Sequence, residues 1–257
     1  MRKRVGLALG GGIVRGMAHI GVLSALERAD IPIDYVIGSS VGSLVGGFYC
    51  AGTGIEKIRA LALQIRWWHI LSLTWPTQGL LSFNKLERWI IEKIGDVTFD
   101  QLAIPLGIIV TDIEQRSLVV INSGKLAPAI HASCAIPGLF KPVQIDGRSY
   151  SDGAMVNAMP VSIARQMGID YVIGVDLLNS SIHKNWGFLG FGLAGLETLI
   201  QHAGNECAAT DCSIAPSFGV TSYVRFAQAA SLIQLGEIAT LEKINTIRTD
   251  LDSSQSK

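Results

Sequence analysis

The chain has little charge. Asp, Glu, Lys and Arg make up only 16% of its 257 residues, and 21 basic residues balance 21 acidic ones. No basic face announces itself, which argues against a nucleic-acid partner. A long apolar run is also missing. The best candidate for a membrane span, Trp186 to Ile200, is interrupted by Glu197 and broken by several glycines, so it is too short and too glycine-rich to cross a bilayer. Four cysteines, at positions 50, 134, 207 and 212, do not make a disulfide framework. His202, Cys207 and Cys212 fit no common zinc spacing and lack a nearby fourth ligand. The expectation is core cysteines, with no metal and no cofactor. There is no internal repeat and no low-complexity tract. The opening Met1-Arg2-Lys3-Arg4 is basic, but only Val5 to Leu9 follows before glycines intervene, which is short for a secretory core. A cytoplasmic protein is expected. The mean hydropathy of +0.38 is high for a domain without a span and leaves room for an exposed greasy face.

What is present is an alternation of short β-branched runs with longer helical ones, the pattern of a largely parallel sheet covered by helices. Strands are predicted at Val5–Leu9, Tyr35–Ile37, Leu106–Thr111, Leu118–Ile121 and Tyr171–Asp176. Val143–Ile145 and Arg148–Ser151 flank Asp146-Gly147, a strong hairpin turn. Helices are predicted over Gly16–Ala29, over Val41–Ala51, from a capping box at Asn84-x-x-Glu87 through Ile94, from Pro160, and over most of Ala227–Ile247. The glycine-rich stretch Ser180–Gly195 gives no clear pattern.

Three motifs carry chemistry. Gly38-Ser39-Ser40-Val41-Gly42 fits G-x-S-x-G between a buried strand and a helix, the setting of a nucleophile elbow. Gly38 and Gly42 let the chain bend there, and the helix N-terminus adds positive potential beside Ser40. Gly10-Gly11-Gly12-Ile13-Val14-Arg15-Gly16 lies between the first strand and first helix, where consecutive N–H groups form an anion site. A dinucleotide fingerprint started at Gly10 fails at Arg15. A P-loop started at Gly11 fails at Met17 and Ala18. A glycine-lined oxyanion hole followed by a cation remains. The third motif, Ser151-Asp152-Gly153-Ala154, would read as a turn if it stood alone.

Taken together and in this order, the three motifs resemble the patatin-like phospholipase family. Ile104 to Asp112 is similar to the family's I-P-L…T-D segment, and His131 to Phe140 to its A-S-x-A-I-P-G-x-F loop. About 170 residues share the likeness, which is nearest to compact bacterial members related to the neuropathy target esterase catalytic domain. The resemblance implies a three-layer α/β/α fold with a mainly parallel central sheet. The chain, 1–257, then reads as one domain with its motif-bearing core at about 5–178 and a helical part at about 190–250. It implies that Ser40 is the nucleophile and Asp152 its base, with Gly153 and Ala154 completing the aspartate motif. Gly10, Gly11, Gly12, Arg15 and Gly16 would form the oxyanion loop, where Arg15 steadies the loop or meets a phosphate head group. The implied partner is a phospholipid, lysophospholipid or related acyl ester.

Two other functions are consistent with the residues. A Ser-Asp-His esterase would need His183 or His202, since only these histidines follow Asp152. His19 and His131 read as satisfied helix histidines. A regulatory or binding module could keep the fold without turnover, although all three catalytic elements are intact. Trp67, Trp68, Trp75 and Trp89 gather with Leu71, Leu73, Leu80 and Leu81 near Arg66. They suit either core filling or peripheral contact with a membrane interface.

Overall fold

A computed structural model describes residues 2–73, 81–178, 195, 198–200, 206–219 and 226–253. Its centre is a mixed sheet built from β1 (Val5–Leu9), β2 (Tyr35–Ser39), β5 (Leu106–Asp112), β6 (Ser117–Ile121), β7 (Val143–Ile145), β8 (Arg148–Asp152), β9 (Tyr171–Val175) and β10 (Cys212–Ile214). A separate small hairpin pairs β3 (Ser72–Leu73) with β4 (Leu81–Ser82). The strand order is β10-β9-β1-β2-β5-β8-β7, with β6 also on β5. The five strands from β10 to β5 are parallel and the rest antiparallel.

The central strands are apolar without interruption because both faces are covered. Side chains alternate across the sheet, and the two faces feed separate cores. Leu7, Leu9, Val36, Ile108, Val110, Ile173 and Val175 join the larger one. It also takes the inner faces of α1 (Ala18–Arg28), α2 (Val41–Cys50), α3 (Ile55–Gln64), α5 (Asn84–Ile94), α6 (Leu126–Ser133) and the C-terminal helix Ala229–Asp252. Ala8, Ile37, Ile109 and Val172 point the other way, onto Val161, Ile163 and Ala164 of the short helix Val161–Gln166. The three-layer α/β/α arrangement follows from this split.

One register decides where the site lies. Ser117–Ile121 of β6 pairs Ile108–Asp112 on one edge of β5. The other edge is therefore shared: β2 runs parallel along Leu106–Ile109, and β8 arrives antiparallel along Val110–Asp112. The two strands meet end to end, Ser39 opposite Ile109 and Asp152 opposite Val110.

Several local expectations shift. The first helix begins later than Gly16: a 3-10 turn spans Ile13–Met17 and α1 starts at Ala18. Gly16 sits where an added side-chain carbon would lie 2.2 Å from Val41 Cγ2, so the turn is set by contact with α2. The capping box at Asn84 does not form. Asn84 is the first helical residue, the Ser82 hydroxyl accepts its N–H (3.2 Å), and Glu87 turns to His131 instead. Pro160 occupies the cap position, one residue before the helix. The Asp146-Gly147 turn is as predicted, with both residues at positive φ, 49° and 77°. The stretch 180–194 and Trp75, Leu80, His183 and His202 lie outside the described residues.

Helix α1 and the C-terminal helix cross at glycines that leave no space. A carbon added at Gly236 would lie 2.0 Å from the Ala18 carbonyl oxygen, and one at Gly21 1.9 Å from that of Ile233. An exposed helix glycine gains about 1 kcal/mol on replacement by alanine. Here Gly236→Ala is expected to lower unfolding stability by about 2 kcal/mol or more, read from the midpoint of a denaturant titration. A gain would contradict the backbone contact.

Candidate active site

Ser40 stands at the turn between β2 and α2 with φ 54° and ψ −127°, a strained conformation for a residue with a side chain. The turn is held by polar contacts and by lack of room. The Ser40 N–H donates to Ser133 Oγ (2.8 Å), and that hydroxyl donates to the Ile109 carbonyl (2.7 Å). Ser43 Oγ donates to the Ser40 carbonyl (2.6 Å). A carbon added at Gly42 would lie 2.1 Å from the Leu9 carbonyl oxygen, and one at Gly38 2.7 Å from the Ser43 backbone. Glycine is required by close approach at both places.

Asp152 ends β8 and is 3% exposed. Its Oδ2 accepts the Ser40 hydroxyl at 2.7 Å, and its Oδ1 accepts the Ala154 N–H at 2.9 Å. The backbone is fastened on both sides, Asp152 N–H to the Ala135 carbonyl (2.9 Å) and Thr111 Oγ1 to the Asp152 carbonyl (2.8 Å). Gly153 follows against β5, where an added carbon would lie 2.2 Å from the Ile109 carbonyl oxygen. Burial raises the Asp152 carboxyl to about 6, opposed by the hydrogen bonds from Ser40 and Ala154.

The glycine loop divides its labour. Gly10 is committed to structure, its N–H donating to the Val175 carbonyl (3.3 Å) and its carbonyl lying 2.8 Å from His19 Nε2. A donor role at Gly10 is therefore a correction to the expected set. His19 is wholly buried and its pKa falls to about 4 through desolvation, so it serves as a neutral anchor for the loop. Gly11 passes beside the hydrogen-bonded pair Ser40–Asp152: a carbon added there would sit 3.4 Å from Ser40 Cβ and 3.3 Å from Ala154 Cβ. Among the described residues, no acceptor engages the Gly11 or Gly12 N–H. Ile13 takes φ 50°, unusual for a β-branched residue. Arg15 is 1% exposed, packs 4.8 Å from the Phe218 ring centroid and donates to the Leu177 carbonyl at 3.4 Å. It braces the loop from within, and the head-group role is not available to a side chain so enclosed.

Ser40 opens on a cavity of about 280 Å³. Its wall is otherwise apolar side chains and Cys134, with Ile13, Val14, Leu44, Trp67, Leu86 and Phe226 among them. Phe83 and Phe140, also in the wall, stack at 3.9 Å. The described histidines are engaged elsewhere: His19 at Gly10, His69 Nδ1 at the Arg66 N–H (3.1 Å) and His131 Nδ1 at Glu87 (3.0 Å). Ser133 and Thr111 stand inside the two family-like segments, His131–Phe140 and Ile104–Asp112, but their roles as hydrogen-bonding supports, like that of Ser43, are not assigned by the sequence. Cys50, Cys134 and Cys212 are buried, Cys207 is partly so, and all four are free thiols.

Residues 7–165 match the family model for patatin-like phospholipases. The chain belongs to that family. This patatin-like chain is 36% identical over 180 residues to an uncharacterized NTE family protein of Mycobacterium tuberculosis, which covers 69% of the chain and 50% of the relative. It is 33% identical over 181 residues to neuropathy target esterase sws of Drosophila melanogaster (67% of the chain, 13% of the relative). A lysophospholipase of Scheffersomyces stipitis is likewise 33% identical over 181 residues (68% and 12%). The chain thus spans half or less of the length of these relatives. Among solved structures, VipD from Legionella pneumophila superposes with a TM-score of 0.63 at 15% identity, over 95% of this chain and 67% of that one. The type III effector ExoU gives 0.52 at 14% identity, over 95% and 53%. Both show a shared fold.

The raised Asp152 carboxyl has a stability consequence. A carboxyl with an ordinary unfolded pKa near 4 and a folded value of about 6 binds its proton more tightly in the native state. Its contribution is full below pH 4 and is lost as pH rises through 6, a change on the order of 3 kcal/mol. Asp152→Asn removes that dependence. Its melting temperature relative to wild type should climb between pH 4.5 and 7.5 in scanning fluorimetry, and a gap that stays constant with pH would contradict the buried-carboxylate description.

Proposed function

We propose that this chain is a serine acyl hydrolase acting on carboxylic esters of phospholipids, lysophospholipids or related acyl lipids, through a Ser40–Asp152 dyad. The observation that carries the reading is the 2.7 Å hydrogen bond from Ser40 Oγ to Asp152 Oδ2 at the wall of an apolar cavity. Asp152 takes the hydroxyl proton as Ser40 Oγ attacks the ester carbonyl carbon. The oxyanion that forms meets the Gly11 and Gly12 N–H groups and the positive end of α2. Collapse expels the alcohol, which receives the proton from Asp152. Water then attacks the acyl-serine with Asp152 as base, releasing fatty acid and restoring Ser40.

A carboxylate is a weak base for a serine, and two features favour it here. Burial lifts its pKa to about 6, nearer the working pH. The apolar wall keeps the local dielectric low, so fixed dipoles act strongly on the developing charge. The cavity is suited to a fatty acyl chain, and the word lysophospholipase in a relative's name agrees with lipid substrates. Among the described residues no helix is long and apolar enough to cross a membrane.

Ser40→Ala and Asp152→Asn are each expected to lower kcat on p-nitrophenyl esters by ~10³-fold or more, and the double variant to be little worse than either, because the two residues act as one unit. Ser39→Ala should keep most activity: Ser39 is wholly buried, and its hydroxyl has no partner among the described residues. Wild-type activity should rise with pH through about 6, where Asp152 loses its proton. That value overlaps an imidazole's, so the mutants separate dyad from triad. A His183 or His202 variant as inactive as Asp152→Asn would overturn the dyad.

A further inference from the structure

Beside the apolar cavity lies a second, polar cleft of about 630 Å³ between the end of α3 and the outer face of α5. The two share a wall at Ile65. The cleft is lined by His69, Lys85, Arg88, Trp89, Glu92 and Lys93, together with Gln64 and Leu61. The short helix α4 (Trp67–Ile70) stands at its rim.

The three described tryptophans of this region, Trp67, Trp68 and Trp89, do not behave alike. Trp67 is turned inward on Phe226 (4.8 Å between ring centroids), and Trp89 packs on Phe48 (5.4 Å). Both fill core. Trp68 faces outward and is 68% exposed, with Leu63 also open at 42%. A single exposed tryptophan is ordinary by itself, and what surrounds Trp68 gives it meaning. Around it are cations. Lys85 Nζ reaches the Trp68 carbonyl at 3.4 Å, Arg88 lies one turn further along α5, and Arg66 sits at the end of α3 on the Leu63 and Ile65 carbonyls. The nearby carboxylates are committed: Glu92 to Lys93 at 2.7 Å and Glu87 to His131. Among the described residues none pairs with Arg66, Lys85 or Arg88. This local excess of positive charge appears on a chain whose net charge is zero.

We infer that the surface formed by Leu63, Arg66, Trp68, Lys85 and Arg88 docks on an anionic lipid bilayer. An open indole and a leucine settle at the head-group level, where an apolar body and a polar tip are both satisfied. Cations around them meet lipid phosphates. A bilayer takes both at once, whereas a soluble anion would leave Trp68 in water. The common wall at Ile65 sets the docked face next to the cavity that opens on Ser40. The inference rests on the lipid-hydrolase reading above.

The test is co-flotation of the full chain carrying Ser40→Ala, which leaves vesicles uncleaved, with phosphatidylcholine vesicles and with vesicles holding 30 mol% phosphatidylglycerol. Binding should be at least tenfold stronger to the anionic vesicles and fall steeply between 0.05 and 0.5 M NaCl, roughly a threefold change in screening length. In the same background, Lys85→Glu with Arg88→Glu should weaken anionic binding at least tenfold, and Trp68→Ala should weaken binding to both vesicle types. With Ser40 intact, each of these variants should hydrolyse a soluble p-nitrophenyl ester at the wild-type rate, which shows that fold and dyad survive. Equal binding to both vesicle types, or variants that float like their parent, would overturn the docking surface while leaving the hydrolase reading in place. A soluble glycerophospho-ester that binds and is displaced by the same charge reversals would also overturn it, by placing a head-group site there instead. Loss of ester hydrolysis in wild type would strike the hydrolase reading alone.

Discussion

The hydrogen bond between Ser40 and Asp152 depends on a shared ruler. Strand β5 pairs with β2 up to Ile109 and with the opposed strand β8 from Val110 onward. Two residues separated by 112 positions in the chain are thereby brought to adjacent places along one strand. The side chains that lock the arrangement read from the same ruler. Ser133 bridges the Ser40 N–H and the Ile109 carbonyl, and Thr111 reaches from β5 to the Asp152 carbonyl. A polar pair in an apolar surround needs its geometry fixed, because a loosened bond would leave buried groups unsatisfied.

The same region is where the fold is least comfortable. Ser40 and Ile13 hold positive φ, Asp152 is a buried carboxyl lifted to about 6, and several glycines lie where any side chain would collide with backbone. Each departs from what local stability alone would select. They converge on one spot, while the strands beneath are continuous apolar runs with both faces filled. Strain of this kind persists only where the surroundings over-determine the conformation, and the double-sided core supplies that constraint. The apolar cavity belongs to the same logic: in the proposed reaction it would offer an acyl chain its preferred surroundings and keep water from the charges developing at Ser40.

Much of this was legible in the sequence because it is local. The elbow at Gly38–Gly42, the glycine run after β1 and the Asp146-Gly147 hairpin each carry their signal within a few residues, and the structure places all three where the pattern puts them. The order of motifs also revealed the family. What was hidden depends on pairings between distant segments. Gly10 and Gly11 look alike in sequence, yet only the register of β1 on β9 shows that the Gly10 N–H is already taken by Val175. Ser133 lies in the family-like loop His131–Phe140, but its bridge between Ser40 and Ile109 is visible only once α6 is seen beneath β5. Glu87 sits at the right spacing for a capping box, but His131, on another helix, claims it. The tryptophans of α4 could not be sorted because a four-residue helix is too short to display a periodicity. The cavity wall gathers residues from the glycine loop, α2, α4, α5 and the turn before the C-terminal helix, so no stretch of sequence announces it.

The central claim is that Ser40 is activated by Asp152 alone. Labelling the full chain with a fluorophosphonate probe, followed by mass-spectrometric mapping of the modified peptide, addresses it directly, since the probe reacts with a serine only when a base has made it nucleophilic. The account predicts a single adduct on Ser40 that is lost in Asp152→Asn and retained in His183→Ala and His202→Ala. An adduct on another serine, or undiminished labelling of Ser40 in Asp152→Asn, would contradict it.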